Sequence, residues 1–279
     1  MTDLRGALRA TRRRLEEAGV PSPRVDAELL LGAAVGLSRT RLYAEPQRVL
    51  SAEEARRLDS LVTRRASREP LAYVLGEWGF RGLTLKIDAR VLVPRPETEC
   101  VVDRCLALLR ALPRPDVLDL GTGSGAIALA IASEHPGAQV VAVDSERGAL
   151  ALARENAAAA GLLDRISLVR GDLGRAAPGA RFDLVVSNPP YVRPGELGSL
   201  EPEVRDWEPK IALVGDGLHR LVGETASALL RPGGSIVLEV GDDQAPGVAA
   251  VLTELGFAGG RISADLGGRD RIVEAQWLT

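Results

Sequence analysis

Metal-ligating and redox side chains are scarce in this chain of 279 residues, which has two His, two Cys and one Met. His135 and His219 stand far apart with no ligand spacing around either, so the sequence offers no metal site. Cys100 and Cys105 fall in one predicted helix and, five positions apart, point in different directions. That argues against a disulfide and suits two thiols in a reducing compartment. Aromatic residues make up only 3%, so Leu, Val, Ala and Ile must supply the core. No apolar run approaches the length of a membrane span, and Met1-Thr-Asp-Leu-Arg-Gly6 lacks the apolar segment of a signal peptide. A soluble protein of the cytoplasm is expected. An overall basic excess is also missing: the net charge of −3 argues against a dedicated duplex-DNA binder, which carries a basic face. Internal repeats and low-complexity segments are absent as well.

The apolar content of 46% is ample for one large domain, or for a large and a small one. Charge is unevenly divided. Residues 1–70 hold 14 Arg against 10 acidic residues, a balance of +4, and the remainder is acidic. This first stretch reads as a small helical bundle with a solvated surface. Ser22-Pro23 looks like an N-cap with proline at the first helical position, followed by Val25, Leu29 and Ala33 on one face. Ser51-Ala-Glu-Glu54 fits a capping box ahead of a Leu58, Leu61, Val62 stripe.

The pattern changes at Pro70. Tyr73–Phe80 and Leu83–Asp88 alternate around Arg81-Gly82 and predict a β-hairpin, read here as a linker over residues 71–93. Pro94-Arg95-Pro96 then makes a stiff entry into a helix over Glu97–Leu109. From Asp116 onward strands and helices alternate. Strands are predicted at 117–120, 139–143, 166–170, 182–187 and 235–240, helices at 126–133, 147–160, 218–230 and 244–255, and two late strands near 260–263 and 270–277. Repeated βα units imply an α/β domain over residues 94–279 with a mostly parallel sheet and helices on both faces. Ligands bind such sheets at the carboxyl ends of the strands, at the switch point. Between Val192 and Gly217 no clear element is predicted, and a loop of that length is usually functional.

Two motifs stand at predicted strand ends. After the first strand comes Asp119-Leu120-Gly121-Thr122-Gly123-Ser124-Gly125, whose glycines let a ligand come against the backbone at a helix start. Asp144 ends the next strand, where a carboxylate can accept hydrogen bonds from ribose hydroxyls. The pattern also satisfies a nicotinamide dinucleotide fingerprint, which leaves an oxidoreductase as the rival. Asp119 beside the glycines suits a cationic amino acid end, such as that of S-adenosylmethionine, better than a pyrophosphate. Asp172, at the end of the third strand, is placed to accept from an adenine amino group, and Leu173 to cover the base. As structural residues, Asp119 and Asp172 would simply cap helices or turns.

The second motif is Asn188-Pro189-Pro190-Tyr191, after the apolar run Phe182–Ser187. Proline fixes its own φ and restricts the residue before it, so Asn188 has few backbone options. Its amide is a paired donor and acceptor, and Tyr191 offers a flat face with a polar tip. That set suits a planar group bearing an NH2, with adenine and glutamine both open; the plain alternative is a rigid turn.

Taken with Pro70-Leu-Ala-Tyr-Val-Leu-Gly76, Phe80-Arg-Gly-Leu83, Val93-Pro-Arg-Pro-Glu-Thr-Glu99, Trp207-Glu-Pro-Lys-Ile-Ala-Leu213, Leu238-Glu-Val-Gly241 with Gln244, and Asp265–Arg271, these motifs give the chain a family likeness. It resembles the N5-glutamine methyltransferases that modify class I peptide chain release factors, firmly over residues 70–279 and more loosely before. Ala72, where the family more often has Gln, and Ser145-Glu146-Arg147 depart from the pattern. The resemblance implies a class I methyltransferase fold, Rossmann-like, with a seven-stranded sheet, a helical N-terminal bundle that docks substrate, and a monomeric state. It implies S-adenosyl-L-methionine as cofactor, held by Asp119, Gly121, Thr122, Gly123, Ser124, Gly125, Asp144, Asp172, Leu173 and Asn188. It implies that the Asn188 side-chain oxygen and the Pro189 carbonyl accept the two N–H bonds of a glutamine amide, with Pro190 and Tyr191 completing the grip. A ribosomal-protein glutamine is the near alternative, and a DNA adenine the more distant one.

Overall fold

The computed structural model describes residues 2–173 and 181–279. In chain order it runs α1 (Leu4–Glu17), α2 (Pro23–Val35), α3 (Arg39–Ala44), α4 (Ala52–Ala66), α5 (Leu71–Leu75), β1 (Glu77–Phe80), β2 (Leu83–Lys86) and α6 (Pro96–Leu109). It continues with β3 (Asp116–Leu120), α7 (Ala126–Glu134), β4 (Gln139–Asp144), α8 (Arg147–Ala159), β5 (Ile166–Arg170) and β6 (Phe182–Ser187). The last elements are α9 (Pro202–Trp207), α10 (Leu218–Leu229), β7 (Leu230–Glu239), α11 (Ala245–Glu254), β8 (Phe257–Ala264) and β9 (Asp270–Trp277). Two compact units result, one of Met1–Glu77 with Glu201–Trp207, the other of Trp78–Leu200 with Glu208–Thr279.

The first unit is helical. Its core is aliphatic, built on Leu15, Leu30, Leu31, Leu58 and Val62. The Ser51 hydroxyl and the Glu54 carboxylate cap α4 reciprocally. The inward face of α2 differs from the one expected: Val25 is 42% exposed, and Ala27, Leu30, Leu31 and Ala34 turn inward instead. The periodicity was obscured because two charged residues on α2 are also buried. Asp26 pairs with Arg65 at 2.7 Å, and Glu28 accepts from Arg24, Arg39 and the Tyr43 hydroxyl. Burial raises the Asp26 carboxyl above its usual range while Arg65 pulls the other way. Arg65 reaches on to Glu203 of α9 at 2.8 Å.

The predicted strand Tyr73–Phe80 is divided in two. Leu71–Leu75 is helical, Gly76 stops it in the left-handed region at φ 79°, and β1 begins only at Glu77. The turn is Arg81-Gly82, with φ of 46° and 76°, a pairing that suits the twist of a two-residue hairpin. Arg81 tolerates its unusual backbone because its guanidinium holds Glu134 at 2.6 Å and Asp103 at 2.7 Å. Lys86 of β2 donates its amide to Asn156 of α8 at 2.8 Å. The hairpin from Trp78 on is thus fastened to the second unit rather than free between two domains.

That second unit is a seven-stranded sheet in the order β5-β4-β3-β6-β7-β9-β8. The pairs from β5 to β7 are parallel and those of β9 with β7 and β8 antiparallel. The central strands β3 and β6 are buried along nearly their whole length, as a sheet covered on both faces requires, with Asp119 and Ser187 the polar side chains enclosed among their Val and Leu residues. The chain moves outward from β3 through β4 to β5, then returns to place β6 on the other side of β3. The switch point therefore lies between the ends of β3 and β6. Residues 192–217 hold more order than the sequence suggested: 3-10 turns at Pro194–Ser199 and Lys210–Ala212 flank α9, and Val192 bridges Val214. No helix among the described residues is long and apolar enough to cross a membrane.

Candidate active site

A cleft of about 230 Å³ opens at the switch point. Its walls include Gly121, Thr122, Gly123, Ser124, Asp144 and Asn188, with Asp172, Leu173 and Pro190 beside them. The glycine loop forms one wall. Gly121, Gly123 and Gly125 all have positive φ, which lets the chain fold back on itself before α7. The amides of Gly121 and Thr122 both donate to the Val143 carbonyl at 2.9 Å, fixing the loop to the end of β4. A side chain on Gly123 would meet nothing within 4 Å, so a ligand can lie directly against the backbone there. Gly125 is tighter: a Cβ would come 3.1 Å from Leu129 and 3.3 Å from Ala153. It packs the helix start against α8 and is not part of the cleft wall.

Asp144 ends β4 on the cleft wall. One of its oxygens accepts from the Gly123 amide at 2.9 Å and the other from the Glu146 amide at 2.9 Å. Burial raises its carboxyl, while these amides hold the raise in check. Each oxygen keeps a lone pair for a ligand hydroxyl. Leu173 leans toward the glycine loop, its Cδ2 being 3.7 Å from where a Gly121 Cβ would stand. A carboxylate with lone pairs to spare, an open glycine backbone and an apolar cover together suit a nucleoside.

Asp119 lies elsewhere than expected. Its side chain is wholly buried behind the loop and not on the cleft wall, and it accepts from the Thr122 hydroxyl at 2.6 Å. Burial, with the negative charge of Asp144 adding to it, pushes its carboxyl up to about 7. In this arrangement one Asp119 oxygen holds the loop through Thr122, while Oδ1 is buried without a hydrogen-bond partner among the described residues.

Asn188 follows β6 and is half-buried at the cleft, while Pro189 is buried behind it. Tyr191 is also off the cleft wall, held by its carbonyl to Gln244 Nε2 at 2.9 Å and by its hydroxyl near Glu239 Oε1 at 3.4 Å. Burial, aided by Glu239, raises the Tyr191 phenol well above its usual range. Gly215 presses on the tetrapeptide so closely that a Cβ there would stand 2.3 Å from the Pro190 carbonyl oxygen. Parallel bonds between Val192 and the Leu213–Gly215 segment seat that contact. The Arg95 guanidinium, on the cleft wall, grips buried Glu208 at 2.6 Å and 2.8 Å. Burial raises Glu208, and Arg95 opposes the raise.

Glu239, at the end of β7, lies outside the site residues expected from the sequence. It is 1% exposed and accepts from Thr98 Oγ1 at 2.7 Å. Burial pushes its carboxyl up to about 7 against the pull of Thr98 and Arg271. The signal was an acidic residue closing the apolar run Ile236–Leu238 next to the switch point. Among the described residues no group of three or more His, Cys, Asp or Glu could hold a metal ion.

Comparison with known proteins adds independent findings. Residues 6–76 match the model of the PrmC N-terminal domain, and residues 102–199 that of the methyltransferase small domain. A release factor glutamine methyltransferase of Deinococcus radiodurans is 44% identical over 279 residues, covering 98% of this chain and 98% of the relative. One of Geobacter sulfurreducens is 44% identical over 274 residues, covering 97% and 95%. Among solved structures, a 16S rRNA N2 G1207 methyltransferase of T. thermophilus, in complex with AdoMet and guanosine, aligns with a TM-score of 0.53 at 23% identity. That alignment covers 72% of this chain and 49% of the other. A methyltransferase from Pyrococcus furiosus aligns with a TM-score of 0.51 at 19% identity, over 82% and 100%. These structures share the fold.

Proposed function

The chain belongs to the release factor glutamine methyltransferases, and from that membership we propose that it transfers a methyl group from S-adenosyl-L-methionine to a glutamine side-chain amide of class I release factors. The observation that carries the proposal is Asn188, held on the wall of the same cleft as Asp144 and the glycine loop. A glutamine amide is a poor nucleophile because its nitrogen lone pair is delocalised into the carbonyl. The protein's task is to orient that lone pair and to raise its electron density by accepting both N–H bonds.

When bound, S-adenosylmethionine supplies an electrophilic methyl group: as the N–C bond forms the C–S bond would break, leaving S-adenosylhomocysteine, and the methylated amide would release one N–H proton to solvent. Asp144 would accept from its ribose hydroxyls, Gly121–Ser124 would lie along its amino acid end, and Asp172 and Leu173 would face the base. Asn188 Oδ1 and the Pro189 carbonyl would accept the two N–H bonds of the glutamine amide, and Tyr191 would support its plane from behind. Holding reactants in line in this way contributes as much as about 7–11 kcal/mol to a reaction in favourable cases. The helical unit and the 192–217 segment would dock the protein substrate, and the reaction would take place in the cytoplasm, where release factors act.

Incubating the purified protein with methyl-labelled S-adenosylmethionine and a release factor, a ribosomal protein or DNA tests the assignment. Label is expected on one release-factor glutamine. Label on DNA alone would overturn the reading, and label on the ribosomal protein alone would move it to the near alternative.

A further inference from the structure

Thr98 lies in the first turn of α6, lines the cleft, and stands outside the Asn188–Tyr191 tetrapeptide. Its hydroxyl has a single proton, and it donates that proton to Glu239 Oε2 at 2.7 Å. While Glu239 is ionised that proton is committed, and Thr98 Oγ1 can meet a neighbour only as an acceptor. The neighbour is Asn188, whose Nδ2 lies 3.4 Å away. This matters because an asparagine amide has two faces: half a turn about its last bond exchanges the oxygen with the NH2. Only one of these orientations offers an acceptor to a substrate amide. The acceptor on Thr98 selects it by drawing the NH2 inward and leaving Oδ1 for the cleft.

The same carboxylate serves the other end of the tetrapeptide, since Glu239 Oε1 lies 3.4 Å from the Tyr191 hydroxyl. Glu239 is itself held in place: its carbonyl lies 2.9 Å from His219 Nε2. One buried acid at the end of β7 thus governs both polar side chains of the motif, Tyr191 directly and Asn188 through Thr98.

We propose that Thr98 and Glu239 are positioning residues that turn the Asn188 amide with its oxygen toward the cleft. The proposal rests on the assignment of Asn188 to the glutamine amide and extends it to two residues that touch no reacting atom. A purely structural pair of buried hydrogen bonds would affect stability alone; a positioning pair affects the orientation of one particular amide and the turnover that depends on it.

Asn156 and Asn188 are the only asparagines in the chain, so protein labelled with 15N-asparagine shows two side-chain NH2 groups. In Thr98→Val the Asn188 pair should shift while the Asn156 pair, bound to the Lys86 and Ser124 carbonyls, stays in place. With release factor as substrate, kcat should fall on the order of 100-fold, as a misplacement of roughly 1 Å can cause. S-adenosylmethionine affinity should stay within about two-fold, and Thr98→Ser, which keeps the hydroxyl, should restore turnover. Thr98→Ala replaces the valine variant should the latter fail to fold. Asn188 resonances unmoved by loss of the hydroxyl, or an undiminished kcat, would overturn the proposal. A wild-type protein that methylates no release factor would instead refute the functional assignment, and the resonances would still decide the Thr98–Asn188 contact.

Discussion

The hydroxyl of Ser187 donates to the carbonyl of Leu120 at 2.6 Å, and both residues are fully buried. They face each other in the β3–β6 register, the last pair before the strands part. Gly121 follows one and Asn188 the other. This bond, added to the β3–β6 ladder at its last pair, ties the wall read as the cofactor's to the wall read as the substrate's.

Ser187→Ala leaves the fully buried Leu120 carbonyl without that donor. A loss of about 1–3 kcal/mol is expected for a buried group stripped of its partner. In a domain of this size each kcal/mol lowers Tm by roughly 2–4 °C. Scanning calorimetry measures it, and an unchanged Tm would remove the bond from the account.

Asp144→Ala removes the acceptor assigned to the ribose hydroxyls, together with the carboxylate that orders the Gly123 and Glu146 amides. Hydrogen bonds to a charged group are worth about 1.5–3 kcal/mol each, so S-adenosylmethionine affinity should drop on the order of 100-fold. Titration calorimetry gives the value directly. Unaltered affinity would place the ribose elsewhere.

Glu239 carries a pH signature. Its ordinary value would be 4.5, and burial raises it to about 7 in the folded chain. Thr98 and Arg271 counteract the raise, Glu97 adds to it, and Tyr191 also faces the group. Between these two values the folded protein holds a proton that the unfolded chain has released, so stability is lost as pH rises through the window. Glu239→Gln is neutral throughout and lacks that loss. The Tm of the variant minus that of wild type should therefore increase from about pH 5 to about pH 8. A difference independent of pH would contradict the buried, raised carboxyl. Wild type keeps the costly acid, as is common where an active site sacrifices stability for function.

Much of this was legible in the sequence, for reasons that are local. The βα alternation, the Ser51 capping box and the Arg81-Gly82 turn each depend on neighbouring residues, and each stands in the structure where it was read. The placing of Asn188 and Asp144 at strand ends on one cleft was legible because the βα alternation fixes where β6 and β4 end. What escaped depended on distant partners. The inward face of α2 was misread because Asp26 and Glu28 are buried by guanidiniums remote in sequence. Tyr73–Phe80 alternates like a strand, yet its first half is helical and ends at Gly76. The burial of Asp119 and the bond that Thr122 donates to one of its oxygens also went unforeseen, because they depend on how the glycine loop folds back over β3. Thr98 and Glu239 are 141 positions apart, and only the fold brings them together.

The central claim is that Asn188 grips the glutamine amide, and Asn188→Ala tests it most directly. Mass spectrometry of the release factor after single-turnover incubation would follow methyl transfer, with S-adenosylmethionine affinity measured alongside. The account predicts loss of methylation with cofactor affinity largely retained; methylation at near the wild-type rate would contradict it.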